Sequence, residues 1–329
     1  MNSNESFRTT FNIKVCSRKI THNKSLMVFG SCFGEHIGNF LSKYHFKTCL
    51  NPSGILYNPL SVSSAIKRII SGKIYTGSEL FFYQELWRSP DHHTSFSDPD
   101  PDITLQTINS SFLRAVGVMK ELDTLIITFG TAFTFISKQD GRVVSNCHKL
   151  PNDNFDRQLT PIKIIVEEYS ELFKILYSRR PELQIIITVS PVRHLRDSAR
   201  ENQVSKSFLH SAIYELENRF PIYYFPAYEI LMDDLRDYRF YDSDMVHPSK
   251  SAIEYILEKF KIACISEDSI CFIKDFTDII NAMDHRLLRA DLESTHKFAD
   301  TNYKKLLKIA EKYPETDLSA ETCYFKKLL

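Results

Sequence analysis

A serine acts as a nucleophile only where a base takes its proton and fixed donors hold the charge that develops on the attacked carbonyl. The stretch Leu26-Met27-Val28-Phe29-Gly30-Ser31-Cys32-Phe33-Gly34 offers such a place. Its apolar run stops at small residues and gives way to helical spacing at Ile37, Phe40, Leu41 and Tyr44, so Ser31 is expected where a strand ends and a helix begins. The first N–H groups of that helix have no intrahelical acceptor and can point at an oxyanion. A base is available in Tyr241-Asp242-Ser243-Asp244-Met245-Val246-His247-Pro248-Ser249, where Asp244 and His247 lie three apart just before a helix. Pro248 favours an abrupt change from loop to helix, which lets both side chains emerge from one loop. His247 can accept the serine proton while Asp244 fixes its tautomer, and the order Ser, Asp, His is permitted because a triad is defined by geometry.

The elements around these residues alternate. After the strand at 26–29 and its helix come a short strand at Phe46–Leu50, a shaped loop from Asn51 to Pro59, a helix through Val62, Ile66 and Ile69, and a long polar loop from Trp87 to Pro101. Leu105, Ile108, Phe112, Ala115 and Met119 mark a helix, and Thr124–Phe129 reads as a strand buried on both faces, the signature of a parallel sheet. A polar excursion leads to Thr160-Pro161, which is expected to cap and start the next helix. Gln184–Val189 and Ile222–Phe225 are further strands, with helices through Leu209–Leu216 and Ala252–Phe260. The pattern predicts an α/β fold: a doubly wound parallel sheet of about five strands flanked by helices, with ligands at the carboxyl ends of the strands. Beyond Cys264 only helical spacing remains (Phe276, Ile280, Met283, Leu287; then Tyr303, Leu306, Leu307, Ala310), so residues 1–264 are read as one domain and 265–329 as a helical extension. Phe11–Val15 is read as an edge strand.

Composition narrows the function classes. Among 329 residues Lys plus Arg and Asp plus Glu each number 41, and this balance argues against a nucleic-acid partner or an acidic membrane surface. The start lacks an apolar core of signal-peptide length and no apolar run reaches about 18 residues, so a soluble, cytoplasmic protein without a membrane partner is expected. The seven cysteines are scattered and form no C-x-x-C pair, which fits reduced thiols better than disulfides or a zinc site; no metal and no cofactor is expected. Glycines at 30, 34 and 38 match neither G-x-G-x-x-G nor a P-loop, which makes nucleotide binding the weaker alternative. Cys32 beside the serine is read as a small packed thiol.

The ordered pair of a serine at the first strand and Asp-x-x-His before the last helix resembles the SGNH (GDSL-type) hydrolase arrangement, and more narrowly the GSCFA family. Gly30-Ser31-Cys32-Phe33 supplies four of the five residues of the family's name, with Gly34 in place of Ala. The resemblance extends to Asn51-Pro52-Ser53-Gly54-Ile55-Leu56-Tyr57-Asn58-Pro59, Trp87 with His93 and Phe96, Gly130-Thr131-Ala132, Asn146-Cys147-His148-Lys149, Ser190-Pro191-Val192-Arg193-His194 and Asp244-Met245-Val246-His247-Pro248, roughly residues 20–262. It implies Ser31 as nucleophile, Asp244 and His247 as its partners, and the N–H groups of Ser31 or Cys32 and of Gly54 as oxyanion donors. It departs at one place: SGNH enzymes commonly carry an Asn after the Gly that ends the central strand, and here Ala132 has no side-chain donor. Thr131, Asn146 and His148 are the candidate replacements, Asn146 favoured, although an Asn there also serves a turn by bonding its own backbone.

The expected function is a serine-dependent hydrolase or acyltransferase acting on an O-acyl ester of a small molecule or glycan. The alternative is a non-catalytic ligand-binding module on the same fold. Arg193, just past a strand end, is placed to hold an anionic substrate group or to form a surface ion pair, and Trp87, His92 and His93 are read as pocket lining or solvated loop. Oligomeric state has no signature in the chain.

Overall fold

The computed structural model describes residues 8–194, 198–285 and 292–329. The first seven residues and Leu287 lie outside them, and so outside what can be said of a leader or of the end of that helix.

Five parallel strands form the central sheet: β1 (Ser25–Gly30), β2 (Lys47–Leu50), β3 (Leu122–Phe129), β4 (Gln184–Val189) and β5 (Ile222–Tyr224), in the order β2-β1-β3-β4-β5. The chain leaves β1 to one side for β2 and then crosses to the other side for β3, so the strand order reverses between β1 and β3. Open parallel sheets bind their ligands at the carboxyl edge of such a switch point. Ser31 follows β1 directly and Gly130 follows β3, so both stand at that edge.

Alternate residues of each buried strand feed two different cores. Met27 and Phe29 of β1 and Leu125, Ile127 and Phe129 of β3 pack against α2 (Pro59–Ser71), α3 (Pro101–Lys120), α4 (Ile162–Arg179) and α5 (Ala199–Glu217). Leu26, Val28 and Ile126 face α1 (Cys32–Lys43) and α6 (Lys250–Cys264) through Ile37, Leu41, Ile256 and Phe260. The near-continuous apolar strand sequences follow from this two-sided burial.

The residues after 264 form α7 (Glu267–Asp284), α8 (Glu293–Lys312) and α9 (Ser319–Lys326), with their own core of Phe272, Phe276, Ile279, Leu306 and Phe325. They dock on the C-terminal end of α1: His22 bridges the Tyr44 carbonyl and Ser269 Oγ at 2.9 Å each, and His45 Nε2 meets Glu321 Oε1 at 3.0 Å. Ser31 is at the other end of that helix, whose 12 residues span about 18 Å.

Four local readings differ from the structure. Phe11–Val15 is not a strand; the Tyr223 hydroxyl donates to the Lys14 carbonyl, and the chain just beyond is held by Cys16 N–H to the Ala263 carbonyl and Ile20 N–H to the Cys264 carbonyl. Trp87 lies in a two-stranded hairpin, Phe81–Tyr83 with Leu86–Arg88, ahead of the loop. The polar excursion contains a three-stranded antiparallel sheet, Phe133–Ser137 between Val143–Val144 and Phe155–Leu159, whose outer strand is largely exposed and so lacks an apolar period. Thr160 does not cap α4, because its buried hydroxyl pairs with Thr134 at 3.1 Å.

Candidate active site

Gly30 makes the turn out of β1. Its φ is +137°, and a methyl group there would lie 2.1 Å from the Thr128 carbonyl oxygen, so no side chain fits. The close approach to β3 places Ser31 at the N-cap of α1, where its hydroxyl caps nothing. Ser31 is only 2% exposed, and its Oγ has no hydrogen-bond partner among the described residues. Gly130 packs over it: a methyl group at Gly130 would come within 3.3 Å of Ser31 Cβ. A buried hydroxyl without a partner costs about 1–3 kcal/mol, and few native groups are left that way without a functional reason.

Asp244 and His247 share one tight loop whose ends pair at Tyr241 and Pro248. Asp244 Oδ1 accepts the N–H groups of Val246 (2.8 Å) and His247 (2.9 Å), and Oδ2 lies 2.6 Å from His247 Nδ1. These three bonds hold the Asp244 carboxyl down at about 2, the backbone N–H of His247 being the largest cause. A carboxylate can only accept, so Nδ1 carries the proton and Nε2 is left as the accepting nitrogen of the neutral ring. The loop is tied to the sheet where the Arg193 N–H donates to the Val246 carbonyl at 3.2 Å. His247 is close enough to lower the basicity of both His36, one turn into α1, and His194, after β4, although burial is the larger cause for each. The loop of His247 is anchored at the end of β4, on the sheet edge where Ser31 follows β1, and Ser31 Oγ makes no hydrogen bond to His247.

The expected oxyanion donors are mostly engaged. The Ser31 N–H reaches the Thr128 carbonyl at 3.2 Å and the Gly54 N–H reaches the Asn51 carbonyl at 2.7 Å. The Thr131 hydroxyl accepts the Phe133 N–H and pairs with Ser205. Asn146 occupies a local turn, its Oδ1 accepting the His148 N–H at 2.8 Å while Nδ2 reaches Thr94. His148 is buried, with Nε2 donating to the Ser89 carbonyl at 2.7 Å and Nδ1 facing Thr94. Asn146 and His148 thus brace the loop that carries Thr94 instead of facing Ser31. The start of α1 has no side-chain cap, so the N–H groups of its first turn, Cys32 and Phe33 among them, have no capping acceptor from Ser31. Arg193 contributes its backbone N–H, and its guanidinium lies 3.7 Å from Met232 Sδ. His92 is not pocket lining: it is buried, bonded to Ser89 and stacked edge-on against Tyr75. Cys32 Sγ rests 3.8 Å from the Tyr57 hydroxyl.

A family model described as the GSCFA family matches residues 25–260, more than half of the chain. The chain belongs to the GSCFA family. No curated protein and no solved structure matches it. The matched span runs from the first residue of β1 nearly to the end of α6, so it contains the whole site and leaves out the helical extension.

One residue at this GSCFA site escaped the motif reading, Lys206 of α5, whereas His194 stands in the stretch from Ser190 to His194 already singled out. Lys206 of α5 is buried, and its ammonium donates to the carbonyls of Gly130 and Ser190 at 2.7 Å each, joining the ends of β3 and β4 beside the site. Burial without a carboxylate partner among the described residues pushes its pKa down to about 7. Its signal was helical spacing: Asn202, Lys206, Leu209, Ile213 and Leu216 share the inward face of α5. His194 carries an unpartnered buried Nε2 and meets the Tyr57 ring edge-on at 5.9 Å, and burial depresses it to about 4.

Proposed function

We propose that this GSCFA protein is a serine-dependent hydrolase or acyltransferase of the SGNH type, acting on an O-acyl ester of a small alcohol or glycan. The reading rests on one observation above all: an Asp244–His247 pair with its tautomer already fixed is anchored, through the Arg193–Val246 bond, to the sheet edge at which a buried, unpartnered serine hydroxyl stands at a helix N-terminus. Ser31 Oγ attacks the acyl carbonyl as its proton passes to His247 Nε2. Asp244 stabilises the imidazolium, and the positive end of α1 faces the developing oxyanion. Collapse of the tetrahedral intermediate breaks the bond to the alcohol oxygen, which takes the proton back from Nε2 and leaves an acyl ester on Ser31. Water or an acceptor alcohol, deprotonated by Nε2, then attacks that ester and releases the serine. His247 must close on Ser31 first, because Ser31 Oγ has no hydrogen-bond partner in the free protein.

The separation of Ser31 from His247 supports a second reading, a ligand-binding module in which the serine is never activated. Intact mass after fluorophosphonate treatment, with p-nitrophenyl acetate turnover, separates the two. One adduct on Ser31, slowed by His247→Ala, supports the enzyme; a folded wild type that takes no label rejects it in favour of the binding module.

A further inference from the structure

A tetrahedral oxyanion needs a donor from the protein beyond the helix terminus, and the residue after β3 where one is expected is Ala132. Thr131, Asn146 and His148 hold bonds elsewhere, and so does the Gly54 N–H. One amide beside the serine remains. Asn51 closes β2 at φ +39°, in the left-handed region that Asn tolerates better than most residues. Its N–H donates to the Val28 carbonyl at 2.8 Å, its carbonyl accepts the Gly54 N–H, and its side-chain Oδ1 accepts the Gly30 N–H at 3.0 Å. Because Gly30 N–H can only donate, the amide cannot be flipped, and Nδ2 is the remaining atom. Asn51 is 8% exposed and Nδ2 has no partner.

We propose that Asn51 Nδ2 is the side-chain donor of the oxyanion hole, delivered from the end of β2 instead of from the loop after β3. This rests on Ser31 being the nucleophile. Two unpartnered groups, a hydroxyl and an amide donor, flank the same turn: Ser31 Oγ one residue after Gly30, and Asn51 Nδ2 on the side chain that holds the Gly30 N–H. When Ser31 Oγ bonds the acyl carbon, the carbonyl π electrons move to oxygen and Nδ2–H donates to that oxygen. No bond to Asn51 is made or broken. His194 Nε2 and Asn202 Nδ2 are also unpartnered, but Asn202 sits on α5 and its Oδ1 holds the His194 N–H at 3.0 Å. Thr128 Oγ1 is unpartnered as well, and the Thr128 carbonyl holds the Ser31 N–H, but that hydroxyl lies against Gly34 inside α1; among the described residues Asn51 is the unpartnered amide bonded to the turn that carries the serine. The Oδ1 bond also fixes the amide before substrate arrives, so the donor needs no reorganisation at the moment of attack.

Asn51→Asp isolates the donor, since the carboxylate keeps the shape and the acceptor for Gly30 N–H but has no hydrogen to give at pH 8. The rate of fluorophosphonate labelling at Ser31 and the kcat/KM for p-nitrophenyl acetate are expected to fall roughly a hundredfold or more, with thermal unfolding showing a cooperative fold. The deficit relative to wild type should shrink as pH is lowered and the carboxyl regains an O–H donor, a recovery that a merely structural residue would not give. Asn202→Asp is the control and should lack both the deficit and its recovery. If N51D does not fold, Asn51→Gly, which suits the backbone, is expected to show at least the same slowing. Labelling of N51D or N51G within about twofold of wild type, a deficit that ignores pH, or an equal pH-dependent deficit in N202D overturns the assignment while leaving the nucleophile intact. A wild type that takes no label overturns both.

Discussion

Ser31 and the Asp244–His247 pair are built by opposite physical rules. Ser31 belongs to the scaffold: it is sealed under Gly130, its backbone is bonded into β3, and its hydroxyl is unsatisfied. The dyad belongs to the surface: both side chains are nearly half exposed (Asp244 49%, His247 45%), yet every acceptor they use is matched within their own loop. Stability is given up at the first place and kept local at the second. Changes on the serine side should therefore register in folding as well as chemistry, whereas changes in the dyad should register in chemistry alone.

The sharpest break of that contrast is Gly30→Ala. The added methyl group would collide with the Thr128 carbonyl at 2.1 Å on a backbone at φ +137°, between two strands of the core. Neither strand can yield, and the expected outcome is loss of soluble, cooperatively folding protein, read by expression and thermal unfolding. A stable G30A would mean that the β1–β3 turn is softer than the packing implies.

Next in size is a split between two alanine variants. His247→Ala should lower turnover by about a thousandfold or more and leave the unfolding temperature within a degree or two, because the ring bonds only its own loop. Ser31→Ala should abolish labelling and at the same time hold or raise the unfolding temperature, since it removes a buried hydroxyl worth about 1–3 kcal/mol of unmet hydrogen bonding. If S31A is less stable than H247A, the hydroxyl is satisfied in the folded protein and the contrast fails.

A smaller effect is expected at Lys206. Its ammonium has a folded pKa of about 7 against an ordinary value of 10.5, so the unfolded chain binds more protons between those limits. The cost of burying the charge is complete below pH 7 and is relieved as pH rises toward 10, where the neutral amine still offers donors to both carbonyls. Wild type should thus gain stability relative to Lys206→Met from pH 7 to pH 9.5; a constant difference across that range would show the lysine to be unperturbed.

The two halves also differ in how far they could be read from the chain. The three central strands announced themselves because each is buried on both faces, and the alternation with helices left one topology class. Ser31, Asp244 and His247 stand out because the proposed chemistry depends on local order, strand then turn and Asp-x-x-His within one loop; the Arg193–Val246 bond ties that loop to the end of β4, on the edge where Ser31 follows β1. The proposed donor was illegible for the opposite reason. Asn146 and Asn51 are the same residue type in similar turn-rich stretches, and only the partners of Oδ1 distinguish them: His148 N–H, two residues along the chain, for one, and Gly30 N–H, across two strands, for the other. Lys206 was hidden because a lysine in an amphipathic helix reads as solvated unless the ends of two strands are known to lie beneath it.

The smallest effect tests whether the dyad is as local as it looks. Asp244 has its carboxyl held at about 2 by the His247 and Val246 N–H groups and the imidazole, so its contribution to folding is present above the ordinary carboxylate value and fades as pH falls toward 2. Half-exposure to solvent screens these bonds, and Asp244→Asn still offers an oxygen to the two backbone N–H groups. At pH 7 the variant should unfold only slightly below wild type, and the gap should close between about pH 4 and pH 2, while turnover at pH 7 drops far more than stability because the amide no longer fixes the Nδ1 tautomer. A large, pH-independent loss of stability in D244N would mean that the loop braces the sheet through Arg193 and Val246, and the dyad would then be part of the scaffold after all.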